Sequence, residues 1–206
     1  MTLFIGDVHG KYKRYKRIIT GRQNSIQVGD MGIGFLRPNG NPYQNPPHYL
    51  MAPNGHRFIR GNHDNPGECR RQSQWIADGR IEGGMMFIGG AFSDDREWRT
   101  EGHNWWPDEE LNVAELNTLA HLYAVTRPRA MVTHDCPEGV AARISALSGE
   151  DKLVPSWTQH ALQAMFETHQ PDLWLFGHWH YSFDEVIDGT RFVCLAELEA
   201  REFDVG

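Results

Sequence analysis

Leu3-Phe4-Ile5-Gly6-Asp7-Val8-His9-Gly10 decides the fold. Its three apolar residues run straight into Gly6-Asp7, which reads as a short buried strand delivering a carboxylate at its C-terminal end. Four later stretches repeat the arrangement. Ser25-Ile26-Gln27-Val28 ends in Gly29-Asp30, and Arg57-Phe58-Ile59-Arg60 ends in Gly61-Asn62-His63-Asp64. Ala130-Met131-Val132-Thr133 ends in His134-Asp135, and Leu173-Trp174-Leu175-Phe176 ends in Gly177-His178-Trp179-His180. Met85-Met86-Phe87-Ile88 is a further strand that stops at Gly89-Gly90. Glu185-Val186-Ile187 and Arg191-Phe192-Val193-Cys194-Leu195, joined through Asp188-Gly189, form a closing hairpin.

Helices fall between these strands. Over residues 11–19, Tyr12, Tyr15, Ile18 and Ile19 share one stripe, while Lys11, Lys13, Arg14, Lys16 and Arg17 cover the rest. Pro107-Asp108-Glu109-Glu110 opens a helix running to about Val125, with Asp108 or a neighbour as its cap. Two more helices are predicted near 139–147 and 158–168. Residues 34–55, rich in Pro, Asn and Gly, read as a long excursion or lid-like loop. Strand–helix alternation implies α/β sheets with helices packed outside, and ligands in such folds collect at the carboxyl ends of the strands.

The chain has 206 residues with 40% apolar content, which fits one compact domain over 1–206. A formal charge of −7 offers no global attraction to nucleic acid or to an anionic membrane. Cys69, Cys136 and Cys194 form no Cys-x-x-Cys pair, which suits reduced thiols. No stretch approaches the roughly 20 apolar residues of a membrane span, and the opening Met-Thr-Leu-Phe-Ile is too short for a signal peptide. The expected location is the cytoplasm. Histidine is the anomaly, with 11 residues placed mostly beside Asp, Asn or Gly.

Taken singly, each strand ending has a commonplace reading. Asp-x-His occurs in turns, Asp30 can cap a helix, Gly-Asn-His-Asp can be a turn, and Gly-His-x-His can be a surface pair. Five in one order, each behind a strand, form a mixed nitrogen and oxygen donor set without thiolate. Such a set suits divalent ions, with manganese first and iron, nickel, zinc or magnesium as alternatives. The donors exceed what one ion needs. Two ions about 3.5–4 Å apart, sharing a carboxylate, would use them all.

The series Gly6-Asp7-Val8-His9-Gly10, Gly29-Asp30, Gly61-Asn62-His63-Asp64, Thr133-His134 and Gly177-His178-Trp179-His180 resembles the calcineurin-like metallophosphoesterases. The segment Gly89-Gly90-Ala91-Phe92-Ser93-Asp94-Asp95-Arg96, with Trp105-Trp106 and Glu109-Glu110, resembles small bacterial and phage members. This resemblance implies a two-sheet αββα sandwich with a binuclear metal site at the strand ends. It implies that one ion takes Asp7, His9, Asp30 and His180, and the other Asp30, Asn62, His134 and His178. His63 would lie beside the leaving group; Asp64, where the family's motif ends in Glu, is a candidate to orient it in this chain.

The chain departs from the family's serine/threonine phosphatases, because Ile33 and Gly34 stand where those carry an orienting Asp and a phosphate-binding Arg. Arg37, Arg60 and Arg96 are candidate substrate contacts, and Arg99 is a further one. The Gly89–Arg96 segment is either a substrate-side wall or a packed structural loop, and the Lys11–Arg17 cluster is either a solvated face or an anion-collecting surface.

The expected function is metal-dependent hydrolysis of a phosphate ester by a metal-bridging hydroxide, with a phosphorylated substrate as partner. The expected substrate is a phosphomonoester, on a phosphoprotein or a small molecule. A phosphodiesterase or nuclease is the alternative, and a non-catalytic protein-binding scaffold the third reading.

Overall fold

The computed structural model of the protein describes residues 1–36, 41, 45–149 and 154–205. Arg37, one of the candidate substrate contacts, lies outside the described residues, as does part of the 34–55 excursion. Two sheets form the centre. The smaller has the order β10-β1-β2-β3, built from β1 (Thr2–Ile5), β2 (Ser25–Gln27), β3 (Arg57–Phe58) and β10 (Ala200–Phe203). The larger runs β4-β5-β6-β7-β9-β8, from β4 (Ile81–Glu82), β5 (Met85–Ile88), β6 (Ala130–Thr133), β7 (Leu173–Phe176), β8 (Phe183–Ile187) and β9 (Thr190–Cys194). β1, β2 and β3 pair in parallel, as do β5, β6, β7 and β9, so the strand ends identified in the sequence point the same way within each sheet.

Three apolar layers follow from side-chain alternation along the strands. Phe4, Ile26, Phe87, Val132, Leu175 and Val193 fill the space between the sheets. Met86, Met131, Trp174 and Phe192, from the opposite face of the larger sheet, meet α4 (Val113–Thr126), α5 (Glu138–Ser148) and α6 (Trp157–Thr168). Leu3, Ile5 and Phe58 turn outward from the smaller sheet onto Tyr12, Tyr15 and Ile19 of α1 (Tyr12–Ile19). The result is the two-sheet αββα sandwich. All three cysteines are buried and unpaired. Among the described residues, no helix is long and apolar enough to cross a membrane.

Some expectations change. The helix expected from Pro107 begins at Val113, because Asn112 accepts from the amides of Ala114 and Glu115 while Glu115 bonds back to the Asn112 amide. That capping box defines the start more firmly than Asp108 does. β3 stops at Phe58 rather than Arg60. The 34–55 excursion contains a short helix, α2 (His48–Met51), and a second short helix, α3 (Pro66–Cys69), follows the third strand end. β4 and β10 were invisible in the sequence. β10 reads Ala-Arg-Glu-Phe with one buried residue, and is held at the sheet edge by antiparallel pairing of Thr2 with Phe203.

Candidate metal centre

The loops after β1, β2, β3, β6 and β7 converge at one end of the sandwich. Gly61 and Gly177 show why glycine precedes the polar residues there. A Cβ on Gly61 would lie 2.1 Å from Asp30 Oδ1, and one on Gly177 would lie 2.3 Å from Asp7 Oδ1. The chain must pass that close to bring the donors together. His9, Asp30, His178 and His180 all adopt positive φ, between 46° and 67°. Non-glycine residues there carry about 1–3 kcal/mol of strain each, and such strain gathers at functional sites.

Asp7, His9, Asp30 and His180 each offer a donor atom, all within 4.8 Å of one another. His9 Nε2 lies 2.8 Å from His180 Nε2, 3.7 Å from Asp7 Oδ2 and 3.6 Å from Asp30 Oδ2. His180 Nε2 is 3.0 Å from Asp7 Oδ2. The other oxygen of Asp30 faces a further set. His134 Nε2 lies 3.3 Å from Asp30 Oδ1 and 3.0 Å from Asn62 Oδ1, and His178 Nδ1 is 3.1 Å from Asn62 Oδ1. The structure thus brings all seven expected ligands together, with Asp30 between the two groups.

The donor chemistry fits divalent cations. Asp7 and Asp30 are buried, and among the described residues their ion-pair partners are imidazoles alone. Burial works to raise both carboxyls, yet hydrogen bonds from His180 and His9 hold Asp7 well below its ordinary value. Attraction to His134, together with a hydrogen bond from it, does the same for Asp30. His134 moves the other way: burial lowers its pKa, but Asp30 outweighs burial and pushes it up to about 10. The two buried carboxylates favour the protonated forms of His134 and His9, a role that a cation fills better. The ring of His134 is already set for ligation, since Nδ1 faces the Val28 carbonyl at 2.8 Å and leaves Nε2 for the centre.

His63 stands beside this cluster without joining it. Its ring stacks on Phe35 at 5.3 Å and meets His9 edge-on at 4.8 Å, while Arg99 Nη2 contacts His63 Nε2. Arg99 is held by Asp95 at 2.6 Å and lines the cavity over the donors. A guanidinium from a later loop therefore stands beside His63 over the donors.

Three sequence-based roles need correction. Asp64 does not orient His63. Its carboxylate accepts the amides of Met31, Gly32, Ile33 and Gly61, tying the second and third loops together. Arg60 is 2% exposed, donating to Asp78 at 3.0 Å and to the Glu109 carbonyl at 2.6 Å. It braces loops and does not line the cavity over the donors. Arg96 lies over the Phe92 ring at 4.7 Å and does not line the cavity. The Gly89–Arg96 segment is divided between the cavity and the packed interior. Phe92, Asp94 and Asp95 line the cavity, whereas Ser93 is buried against Asn62.

The calcineurin-like phosphoesterase family model matches residues 1–182, a span that contains every donor named above. No curated protein matches the chain.

Proposed function

The chain belongs to the calcineurin-like phosphoesterases, metal-dependent hydrolases of phosphate esters, and from that premise we propose a phosphomonoesterase using two divalent cations, manganese first among them. Asp7, His9, Asp30 and His180 would hold one cation. Asp30, Asn62, His134 and His178 would hold the other, with Asp30 giving an oxygen to each. When bound, such a pair lowers the pKa of a water held between the ions and neutralises charge on the phosphoryl oxygens.

The chain's own residues supply positioning and proton transfer. A guanidinium only donates, so the contact with Arg99 makes His63 Nε2 the accepting, unprotonated nitrogen. Burial, then Arg99 and His9 working against Asp30, bring the pKa of His63 down to about 4. A phosphoryl dianion arriving between the two side chains draws Arg99 onto its own oxygens and makes a proton on Nε2 less costly. His63 Nε2, having taken a proton from solvent, is then placed to pass it to the departing alkoxide.

The lining of the cavity carries the choice of a monoester. Among the residues lining this cavity of about 160 Å³, Arg99 is the one Lys or Arg, and Asp94 and Asp95 stand beside it. One cationic side chain suits one terminal phosphoryl group, on a phosphoprotein or a small molecule. The flanking phosphates of a polynucleotide would meet carboxylates. The test is hydrolysis of p-nitrophenyl phosphate against bis-p-nitrophenyl phosphate by chelator-stripped protein with Mn²⁺ restored. Preference for the monoester is expected. Preference for the diester refutes this substrate class and favours a nuclease. Cleavage of neither, with cations bound, refutes catalysis and favours a protein-binding scaffold.

A further inference from the structure

Asn62 can serve a cation through its oxygen alone, because its amide nitrogen has no lone pair to give. The two ends of the amide are nearly the same size, so packing hardly distinguishes the correct orientation from the flipped one. We infer that Ser93 and Glu109 form a positioning relay that decides which end of the Asn62 amide faces the metal centre. This rests on the two-cation reading above.

The geometry is directional. Ser93 Oγ lies 2.6 Å from Glu109 Oε2 and 3.0 Å from Asn62 Nδ2. A hydroxyl has one hydrogen, and a carboxylate can only accept. The hydrogen therefore goes to Glu109, and Oγ turns a lone pair towards Asn62. Only the NH₂ end of the amide can answer that lone pair, which leaves Oδ1 facing His134 and His178 at 3.0 and 3.1 Å.

Glu109 is itself fixed. Its Oε1 accepts the Ser93 amide at 2.9 Å, and its carbonyl accepts Arg60 Nη1 at 2.6 Å. Arg60 directly precedes Gly61-Asn62, so the relay closes on the loop it orients. Arg60, Asn62, Ser93 and Glu109 are all at most 3% exposed, which keeps water from substituting for any link. A buried carboxylate whose two oxygens bond the amide and the hydroxyl of one serine adds little to packing. It does impose a direction on the hydroxyl.

Glu109→Gln tests this with almost no change of shape. The Ser93 amide needs an acceptor, so the glutamine oxygen stays there and its NH₂ faces Ser93 Oγ. The hydroxyl hydrogen must then turn towards Asn62 and favours the flipped amide.

In calorimetric titration of chelator-stripped protein with Mn²⁺, the wild type should bind two equivalents. Glu109→Gln should keep the first and weaken the second by about 10–100-fold, the usual cost of losing a residue that supports a ligand. Its metal-free form should melt as the wild type does. Ser93→Ala should weaken the same equivalent, independently of how well Glu109→Gln folds. In an Asn62→Asp background, both ends of the side chain are oxygens, so adding Glu109→Gln should no longer weaken the second equivalent.

Unchanged binding of both equivalents in Glu109→Gln and Ser93→Ala overturns the relay while leaving the two-cation reading standing. Loss of both equivalents, or a lowered melting point of the metal-free protein in both variants, also overturns it by showing a general structural role. A single equivalent in the wild type overturns the two-cation reading and the relay with it.

Discussion

Arg99→Ala isolates the one Lys or Arg that, among the described residues, lines the cavity over the donors. The guanidinium is held by Asp95, whose side chain is 49% exposed, and by the Asn104 carbonyl at 3.4 Å. Arg99 itself is 6% exposed, so the pair is half open, and removing it should cost the fold more than the roughly 1 kcal/mol of a fully exposed pair, a loss that the melting temperature reads directly. The phosphoryl group, for its part, loses a charge-assisted hydrogen bond inside a cavity. Such a bond contributes about 1.5–3 kcal/mol, which converts to a fall in kcat/KM of about 10- to 150-fold. Arg99→Lys should fall between, because an ammonium keeps the charge but loses the planar fork. Steady-state hydrolysis of p-nitrophenyl phosphate supplies kcat/KM, and competitive inhibition by inorganic phosphate reports ground-state binding separately. A melting transition above the assay temperature confirms that folding is intact. If kcat/KM and phosphate inhibition both stay within about twofold of wild type, below the loss of even the weakest such bond, Arg99 does not face the phosphoryl group. Its contact with His63 would then be incidental.

Asp30→Asn should lower bound Mn²⁺ from two equivalents to at most one and cut kcat/KM by more than the ~100-fold upper cost of losing a supporting residue; metal analysis showing two equivalents would refute the shared carboxylate. His63→Ala should retain both cations yet slow alkyl phosphates by about 10²–10⁴-fold, with p-nitrophenyl phosphate slowed far less because its phenolate leaves without help. Equal slowing of the two substrates would remove His63 from the proton transfer. Because Asp30 pushes His134 up to about 10, the metal-free ring holds a proton through neutral pH and must release it to ligate. Mn²⁺ affinity should therefore rise with pH between about 6 and 9, and calorimetry at pH 7.5 in buffers of different ionisation enthalpy should show proton release. A heat independent of buffer would refute this.

The αββα sandwich was legible because strands buried on both sides must be apolar throughout, and their ends announce themselves by a sudden change to Gly, Asp, Asn and His. Leu3-Phe4-Ile5 and Leu173-Trp174-Leu175-Phe176 are such runs, and both appear as strands. β10 lacks that signature. Its pairing with β1 uses backbone groups, which no residue type reveals, and its polar side chains suit an edge. The helix opening was misjudged at Pro107 because Asp108, Glu109 and Glu110 look like a favourable first turn. Glu109 is instead drawn inward to Ser93, and the reciprocal Asn112–Glu115 pair fixes the start at Val113.

At the site, a ligand can be read from sequence when its own strand delivers it, since the strand, the glycine and the donor are contiguous. His63 and its neighbours share that advantage, but their roles do not. Asp64 and Arg60 sit in the same motif and bear charge, so proximity alone suggested chemistry for both. Burial decides otherwise: one carboxylate is consumed by four amides, and one guanidinium by Asp78 and a carbonyl. Arg99, Ser93 and Glu109 reverse the case. They come from a loop without periodicity, and their value arises only when the fold carries that loop across to Asn62 and His63. A motif therefore fixes which atoms meet a phosphate ester, while the orientation and charge of those atoms are set by residues of a separate loop, flagged in the sequence only as a resemblance and as a candidate contact, whose partners appear only in the fold.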